Sequence, residues 1–313
     1  MIPTSILEEF DRSYPTEQAC LEQLFQSKWP DGYVCPRCGH GHAYLMTSRR
    51  LPLYECRQCC YQASLLSDTV MEGSRTDLRK WFLAIWLLSR SERGTTAVAL
   101  SELIGVTYKT AWLMLHKIRD AISASENDRL LSGVVRVNPA CYGRPHNPSV
   151  FRHPQEHPFL IGSSMDDQGQ PGAIKLMLLN VREHMNPFKK VLRSGIQCFK
   201  NRHIDPESHD IIFIKNQFAQ NRIRVLLGVA RAAHQWINTT FHSLGRKHLQ
   251  AYLNEFSYRF NQSQSQSQSQ SQSHSHSHSH SRSRLDQPPF HALLTLCATS
   301  KKICYADLTA AAA

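Results

Sequence analysis

Two C-x-x-C pairs constrain the fold of this chain more than any other feature of its sequence. The pairs are Cys35 with Cys38 in CPRC and Cys56 with Cys59 in CRQC, and 17 residues separate them. Each pair can present two thiolates on one side of a tight turn, and two facing turns form the tetrahedral four-sulfur site that suits zinc. Because four thiolates leave no open coordination position, the spacing predicts a structural zinc ion in a zinc ribbon over residues 30–65. The alternative is four unrelated buried cysteines in a reducing cell.

The charge balance indicates a polyanionic partner. The 313 residues include 36 Lys and Arg against 25 Asp and Glu, and the resulting net charge of +11 favours nucleic acid, although charge alone is weak support. Residues 1–29 predict an acidic, amphipathic helical segment rather than a signal peptide. No apolar run reaches the roughly 18 residues of a membrane span. We therefore expect a cytoplasmic protein without a membrane segment, in which the ten cysteines are reduced.

Residues 75–124 predict a helix-turn-helix. Apolar residues recur there at helical spacing, Gly94 separates the first helix from the second, and Gly105 ends the second. Thr107 would cap the third helix, which would enter the major groove of DNA. The alternative is a plain three-helix bundle with a basic solvated face.

Candidate DNA contacts lie on the third helix and between the two cysteine pairs. The first turn of that helix would face base edges, and its later basic turns would face phosphates. The two arginines of the ribbon would contact phosphate or, alternatively, belong to an ordinary solvated hairpin tip. The candidates are Arg49, Arg50, Thr107, Tyr108, Lys109, Thr110, His116, Lys117 and Arg119.

Several stretches resemble one protein family. CPRCGH, YECRQCCYQASLLSDTVMEGSRTDLRKWFLAIWLLS and LIGVTYKTAWLMLHKIRDAI are similar to the N-terminal half of bacterial insertion-sequence transposases with a zinc ribbon and a DDE-type domain. HPFLIGSSMDDQGQP and TTFHSLGRKHLQAYLNEFSYRFN are similar to a strand pair and to the C-terminal signature of the same family. The resemblance implies a ribonuclease-H-like α/β domain with a mixed sheet over residues 130–261. It also implies phosphodiester cleavage and strand transfer assisted by two Mg²⁺ ions.

The same resemblance implies the partners and the location of the protein. The expected partner is double-stranded DNA with terminal inverted repeats, a homo-oligomer is compatible with the family, and the location is the bacterial cytoplasm, at the nucleoid.

Carried over position by position, the resemblance finds no intact catalytic acid. The first Asp of the family falls on Asn138, at the end of an expected central strand over residues 134–138. The second falls, by an ungapped reading of RSGIQCFK, on Ser194, at the expected end of a neighbouring strand. The third position falls on Ala232 and its paired Lys on His234, both on an expected helix packed close by. An amide is a weaker ligand for Mg²⁺ than a carboxylate, and an alanine is none. We therefore expect poor Mg²⁺ binding and a catalytically defective transposase.

Three alternatives stay open at this level. The protein is an active metal-dependent transposase with relocated acids, a domesticated DNA-binding regulator, or the product of an eroding gene. A strand-end cluster of carboxylates would favour the first, although the sequence favours a hairpin turn and a polar loop for the available acids. Those acids are Asp166, Asp167, Asp205, Glu207 and Asp210.

A tract of Ser alternating with Gln, His and Arg occupies residues 262–284. It has no apolar residue with which to form a core, so it predicts a disordered low-complexity linker whose histidines make at most a weak metal site. Residues 285–313 regain an amphipathic pattern and predict a helical tail that packs back on the core. The whole pattern predicts an α+β multidomain protein.

Overall fold

The structure, a computed structural model, describes residues 3–48, 50–90, 93–143, 149, 151–272, 289–301 and 303–310. The chain forms two compact units, and each is described by itself. Unit 1 comprises Met1–Ala121 and Gln287–Ala311, and unit 2 comprises Ile122–Asp286 with Ala312–Ala313. Arg49 and residues 273–284 of the predicted linker lie outside the described residues.

Both units combine helices with a sheet, as predicted for an α+β protein. No helix among the described residues combines the length and the apolarity that a bilayer crossing demands. The elements are, in chain order, α1 (Thr4–Ser13), α2 (Glu17–Lys28), β1 (Ala43–Met46), β2 (Leu53–Cys56), β3 (Gln62–Ser64), α3 (Leu78–Arg90), α4 (Ala97–Ile104), α5 (Tyr108–Asp128), β4 (Val134–Tyr142), β5 (His157–Met165), β6 (Pro171–Leu178), α6 (Val181–His184), α7 (Arg193–His203), β7 (Asp210–Phe213), α8 (Arg224–Phe241), α9 (Arg246–Gln272), α10 (Pro289–Thr299) and α11 (Tyr305–Ala310).

Unit 1 has an aromatic core that α10 completes. The short strands β1, β2 and β3 form an antiparallel sheet in that order, and α10 packs against α2 and α3. Phe290 of α10 is 1% exposed, and its ring lies 5.2 Å from Tyr14 and 5.0 Å from Trp86, measured between centroids. Such aromatic contacts bury a large apolar area. Helix α10 is therefore part of the core of this unit.

Unit 2 contains the predicted mixed sheet, with strand order β6-β5-β4-β7. β4 pairs antiparallel with β5 and parallel with β7, so it is a central strand. Side chains alternate between the two faces of a strand. Ala140 and Tyr142 face the cluster formed by α8 and α9, whereas Val135 and Val137 face Phe199 of α7. Thus α7 and α8 cover opposite faces of the sheet.

Helix α9 continues into the tract that we predicted to be disordered. It ends at Gln272, so the prediction of a disordered linker is wrong for residues 262–272. Extending an existing helix by one residue is far easier than nucleating one, and Gln is a good helix former. The Ser265 hydroxyl also donates to the carbonyl of Asn261, at 2.9 Å. Packed turns upstream therefore carry the helix into a polar sequence.

Candidate functional site

Two matching backbone turns carry the four predicted zinc ligands. In the first, the amide of Cys35 donates to the carbonyl of His40 and the amide of Gly39 donates to the carbonyl of Cys35, both at 2.9 Å. The second turn repeats both hydrogen bonds from Cys56, at 2.9 and 3.0 Å. The same local geometry therefore arises twice from the C-x-x-C spacing.

The turns bring four sulfur atoms together. Cys35 Sγ lies 3.6 Å from Cys59 Sγ, Cys38 Sγ lies 3.6 Å from Cys56 Sγ, and all four atoms lie within 4.8 Å of one another. A tetrahedron with Zn–S bonds of about 2.3 Å has edges of about 3.8 Å. The predicted convergence of the four cysteines is confirmed, and the donor set fits a structural zinc ion.

Backbone donors favour the thiolate form that zinc requires. Burial of the Cys35 thiol acts to raise its pKa, but the N–H groups of Arg37 and Cys38 donate to the sulfur, and the net effect lowers the pKa to about 6. In the second turn, the amide of Gln58 donates to Cys56 Sγ at 3.4 Å.

Cys60 closes the second cysteine turn in a left-handed conformation, a role that the sequence interpretation missed. It follows the second pair as Gly39 follows the first, and both residues have positive φ angles, +54° for Cys60 and +74° for Gly39. The left-handed region is unfavourable for residues with a Cβ atom. Because Cys60 follows the second pair as Gly39 follows the first, the sequence could have indicated that Cys60 adopts the same left-handed conformation.

A glycine turn joins α4 to α5. Gly105 has a φ angle of +61°, and the amide of Val106 donates to the carbonyl of Ser101 at 3.1 Å. Thr107 then accepts a hydrogen bond at Oγ1 from the amide of Thr110, at 3.3 Å, so Thr107 caps α5 as predicted. The order of helix, glycine turn and helix agrees with the sequence interpretation.

The first turn of α5 presents a polar, accessible surface. Tyr108 is 54% exposed, Thr107 and Lys109 are exposed, and Thr110 is half-buried. These four predicted contacts are available to a ligand.

The later basic residues of α5 are buried, and the prediction that they face phosphates is wrong. His116, Lys117 and Arg119 are 3%, 6% and 1% exposed. Lys117 Nζ donates to the carbonyl of Val70 at 3.1 Å, and Arg119 Nη2 donates to the carbonyl of Thr95 at 3.4 Å. The segments around these carbonyls cover this side of the helix, so the three side chains are held inside the unit instead of facing solvent.

Arg50 of the ribbon is held by two carboxylates. Its guanidinium pairs with Asp77 and, at 3.4 Å, with Glu17. Exposed ion pairs of this kind are weak and exchangeable, so Arg50 would have to leave them before it could contact a phosphate. Arg49 lies outside the described residues.

Asn138 lies on the central strand β4, as predicted, and is 0% exposed. Its Nδ2 donates to the carbonyl of Ile223 at 2.8 Å, and its Oδ1 accepts from the amide of Ile223 at 3.3 Å. Ile223 immediately precedes α8. Both polar groups of the Asn138 side chain are therefore used to anchor the start of that helix.

Ser194 does not end a strand, and this prediction is wrong. It lies in the first turn of α7, where its hydroxyl donates to a backbone carbonyl of α6. The parallel neighbour of β4 is β7, in which Phe213 is in register with Val137. The amide of Ile214 donates to the carbonyl of Val137 at 2.9 Å, so Ile214 and Lys215 hold the strand-end position. The ungapped alignment mistook a helix start for a strand end.

Ala232 and His234 lie on α8, as predicted, but away from Asn138. Ala232 is exposed, and the ring of His234 packs on Tyr142 with centroids 5.2 Å apart. A rise of 1.5 Å per residue places Ala232 about 14 Å along the axis from Ile223, which Asn138 contacts. Since α7 covers the other face of the sheet, the four family positions do not meet in one pocket.

The strongest candidate for a relocated acid lies near the start of β4. Asp210 is in register with Val134, and its two carboxylate oxygens accept from Arg136, both at 2.8 Å. The hydrogen bond from Arg136 lowers the pKa of Asp210. At about 3.3 Å per residue, Val134 is about 13 Å along the strand from Asn138. Asp210 is therefore paired away from that position.

The other acids belong to turns. The amide of Asp205 donates to the carbonyl of Leu131 at 2.8 Å, and its carboxylate accepts from the amide of Glu207 at 2.9 Å. Asp166 accepts from two amides of the turn between β5 and β6, at 3.0 and 2.7 Å. Asp167 is exposed in the same turn. The hairpin interpretation of the Asp166 segment is confirmed.

Comparisons with known proteins identify two transposase segments. Residues 15–62 match the model of the transposase zinc-ribbon domain, and residues 183–261 match the model of the ISXO2-like transposase domain. The Halobacterium salinarum protein described as an uncharacterized protein in transposable element ISH50 is 30% identical over 114 residues, which is 36% of this chain and 38% of the relative. No solved structure matches the chain.

The two matched segments cover different parts of the site. The first contains the four converging cysteines, and the second contains Ser194, Ala232 and His234, whereas Asn138 lies outside both. Two domains of one kind of protein thus match in the expected order, and the relative comes from a transposable element. The chain is therefore similar to insertion-sequence transposases over residues 15–62 and 183–261.

Proposed function

We propose that the chain is a DNA-binding protein of the insertion-sequence transposase family that does not cleave phosphodiesters. The observation that carries this proposal is the double hydrogen bond between Asn138 and Ile223. A neutral amide that is buried and used in this way cannot serve as a carboxylate ligand for Mg²⁺. By contrast, the cysteines and the first turn of α5 keep the features that DNA binding requires.

The DNA-binding half of the proposal rests on unit 1. The four cysteines converge as a zinc ribbon requires, and the order of α4, the Gly105 turn and α5, with Tyr108 and Lys109 accessible, supports a helix-turn-helix. The net charge of +11 supports a polyanionic partner. We infer that the partner is double-stranded DNA carrying terminal inverted repeats, in the cytoplasm at the nucleoid.

The catalytic half rests on unit 2. Its strand order, with β7 parallel to β4, supports a ribonuclease-H-like domain. The position beside Asn138 at the end of β7 carries Ile214 and Lys215, neither of which is a ligand for Mg²⁺. The acids that could replace the family residues are engaged elsewhere. This arrangement supports loss of catalysis over relocated acids.

A DNA-binding experiment tests the first half. Binding of the full chain to terminal-repeat duplexes should weaken with salt, and Lys109→Ala should lower affinity by about 1 kcal/mol and reduce the salt slope by about 1. The matched control is Lys200→Ala, which removes an exposed Lys from α7. An unchanged affinity in the Lys109 variant, or equal effects of both changes, would count against the assigned surface.

A cleavage experiment tests the second half. The full chain, incubated with terminal-repeat DNA and either Mg²⁺ or Mn²⁺, should give no nick, hairpin or strand-transfer product. Binding measured in the same samples shows that the protein is folded and engaged. Robust metal-dependent cleavage would show that the acids have moved and that the catalytic half of the proposal is wrong.

A further inference from the structure

Unit 2 contains an open cavity that is not part of the site described above. Its volume is about 760 Å³, and it lies beside the loop between β6 and α6, with walls from α6, α7 and the residues that precede β5. Four arginines line it: Arg152, Arg182, Arg202 and Arg246. A cavity of this size falls in the range of roughly 300–1,000 Å³ that is usual for small-molecule sites.

The positive charge of this cavity is not neutralised by its own acids. Among the described residues, none of the four arginines makes an ion pair. Of the two acids in the lining, Glu156 is paired with Lys189 at 2.7 Å, and Glu183 approaches only His184, at 4.0 Å. Arg182, Arg202 and Arg246 are exposed and Arg152 is half-buried, so their guanidinium groups are accessible to an external anion.

Arg152 and Arg246 lie close enough to influence each other, and they and Arg202 influence the nearby histidines. Burial and the neighbouring Arg152 both lower the pKa of Arg246. Burial lowers the pKa of His157, and Arg246 and Arg152 act in the same direction. For His184, burial again lowers the pKa; Glu183 acts to raise it, and Arg202 and Arg246 act to lower it. Like charges crowded in this way destabilise the cavity, and a bound anion would relieve that repulsion.

Part of the arginine cluster is positioned by the backbone. Arg246 Nη2 donates to the carbonyl of Leu179 at 2.6 Å, and Arg152 Nη1 donates to the carbonyl of His153 at 3.1 Å. Each guanidinium keeps further N–H groups for a ligand, because it has five donors. Planar forks of this kind suit the oxygen atoms of phosphate.

We propose that this cavity is a binding site for a phosphate group, held by Arg152, Arg182, Arg202 and Arg246. The phosphate comes either from a nucleic-acid backbone or from a free nucleotide or phosphate ion. The site belongs to unit 2 and does not depend on the helix-turn-helix of unit 1. It remains testable if the proposed DNA binding through α5 fails.

Cys198 provides a direct measure of occupancy, because it lies in the cavity wall and is half-buried. The rate at which iodoacetamide alkylates Cys198 in the full chain is followed by peptide mass spectrometry. The probes are inorganic phosphate, thymidine monophosphate and a thymidine oligonucleotide of about 12 residues. At a probe concentration ten times its Kd, alkylation of Cys198 should slow about tenfold. Cys304, which is exposed in unit 1, should react at an unchanged rate.

Variants that replace arginine with uncharged glutamine test whether the arginines cause the protection of Cys198 from alkylation. The double change Arg182→Gln with Arg202→Gln affects two exposed side chains, and protection of Cys198 should disappear. Arg231→Gln, an exposed residue of α8 outside the cavity, is the matched control and should keep the protection. Equal melting temperatures show that the variants are folded.

The probes separate the two sources of phosphate. Protection by the oligonucleotide at concentrations where phosphate and the mononucleotide have no effect identifies a nucleic-acid backbone, whereas equal protection by all three identifies a free phosphate or nucleotide site. Lys109→Ala should leave protection by inorganic phosphate unchanged, so a failure of DNA binding through α5 is distinguished from a failure of this site. The proposal is overturned if no probe protects Cys198 at low salt, or if protection persists in the double variant.

Discussion

At position 138, the amide nitrogen of Asn in place of the second carboxylate oxygen of Asp decides whether the side chain can hold the start of α8. The contact with Ile223 needs one donor and one acceptor, and the amide supplies both. An aspartate at the same place would supply two acceptors and would face the Ile223 carbonyl with a negative oxygen. Restoring the acid of the family therefore conflicts with the present structure.

Asn138→Asp should destabilise unit 2 by about 1–3 kcal/mol at neutral pH, because a buried polar group is left without its partner. Burial raises the pKa of the new carboxyl above its unfolded value of about 3.9. The protonated acid can donate, so the deficit should be small near pH 4 and should grow as the pH rises through the folded pKa. Urea unfolding at the two pH values measures this. Asn138→Ala, which cannot ionise, is the control, and an equal deficit at both pH values for the Asp variant would contradict the argument.

Cys60→Gly should stabilise the zinc ribbon. The φ angle of +54° is strained for any residue with a Cβ atom and free of strain for Gly. We expect a gain of about 1 kcal/mol, seen as slower zinc loss to a chelator and a higher melting temperature. Cys35→Ser should instead release the metal. If Cys60→Gly also released it, Cys60 would be a ligand and the four-cysteine assignment would be incorrect.

The residues that sequence could identify are those whose role is local. The cysteine pairs converge because of a spacing of three residues within each pair and the turn that this spacing forms. The burial of Lys117 and Arg119 depends on carbonyls of Val70 and Thr95, which are distant in sequence. A helical pattern alone does not show which side of a helix other segments cover, so basic residues that are buried looked like surface charges.

At the scale of elements, α5 was predictable from local sequence signals, whereas the place of α7 depends on contacts that are distant in sequence. The start of α5 was predictable because Gly105 and Thr107 are local stop and start signals. The assignment of Ser194 failed because it depended on which segment becomes the parallel neighbour of β4. That segment is β7, which is distant from β4 in sequence. Strand order is a property of the assembled sheet, so an ungapped alignment cannot supply it.

Helix α10 should be required for the stability of unit 1. Phe290→Ala removes a side chain that is 1% exposed and should cost about 3 kcal/mol, because it leaves a cavity among aromatic rings. Thermal unfolding of the variant measures the loss. Tyr305→Ala, in the same C-terminal region but 60% exposed, should cost much less. A chain that ends at residue 286 should lose DNA binding, and full binding by that chain would show that α10 is dispensable.

At the scale of the whole molecule, titration of buried histidines should limit stability in acid. Burial, followed by the charges of Lys175 and Arg202, lowers the pKa of His203 to about 4, below the unfolded value of about 6.5. The unfolded state therefore binds the proton first as the pH falls. The stability linked to His203 is complete above about pH 6.5 and is lost between about pH 6.5 and 4, up to about 3 kcal/mol.

Urea unfolding of unit 2 at pH 7 and pH 5 tests this linkage. His203→Leu keeps an apolar side chain against Phe199 and removes the titration, so the variant should lose less stability between the two pH values than the parent. His157, His184 and His248 have pKa values lowered by burial as well, so a smaller dependence should remain. An identical pH dependence in the variant would show that His203 is not responsible.

The position of α10 also sets the order in which the protein can be completed during synthesis. The ribosome makes residues 1–121 first, then all of unit 2, and only then Pro289–Thr299. At roughly 5–20 residues per second, unit 1 waits roughly 10–30 s for its last core helix. During that interval the aromatic rings of Tyr14 and Trp86 lack the partner that Phe290 later provides. A frameshift within the Ser-Gln codons would remove α10, and unit 1 would then never complete its core. Without such a change, unit 1 is encoded first but its core is completed last.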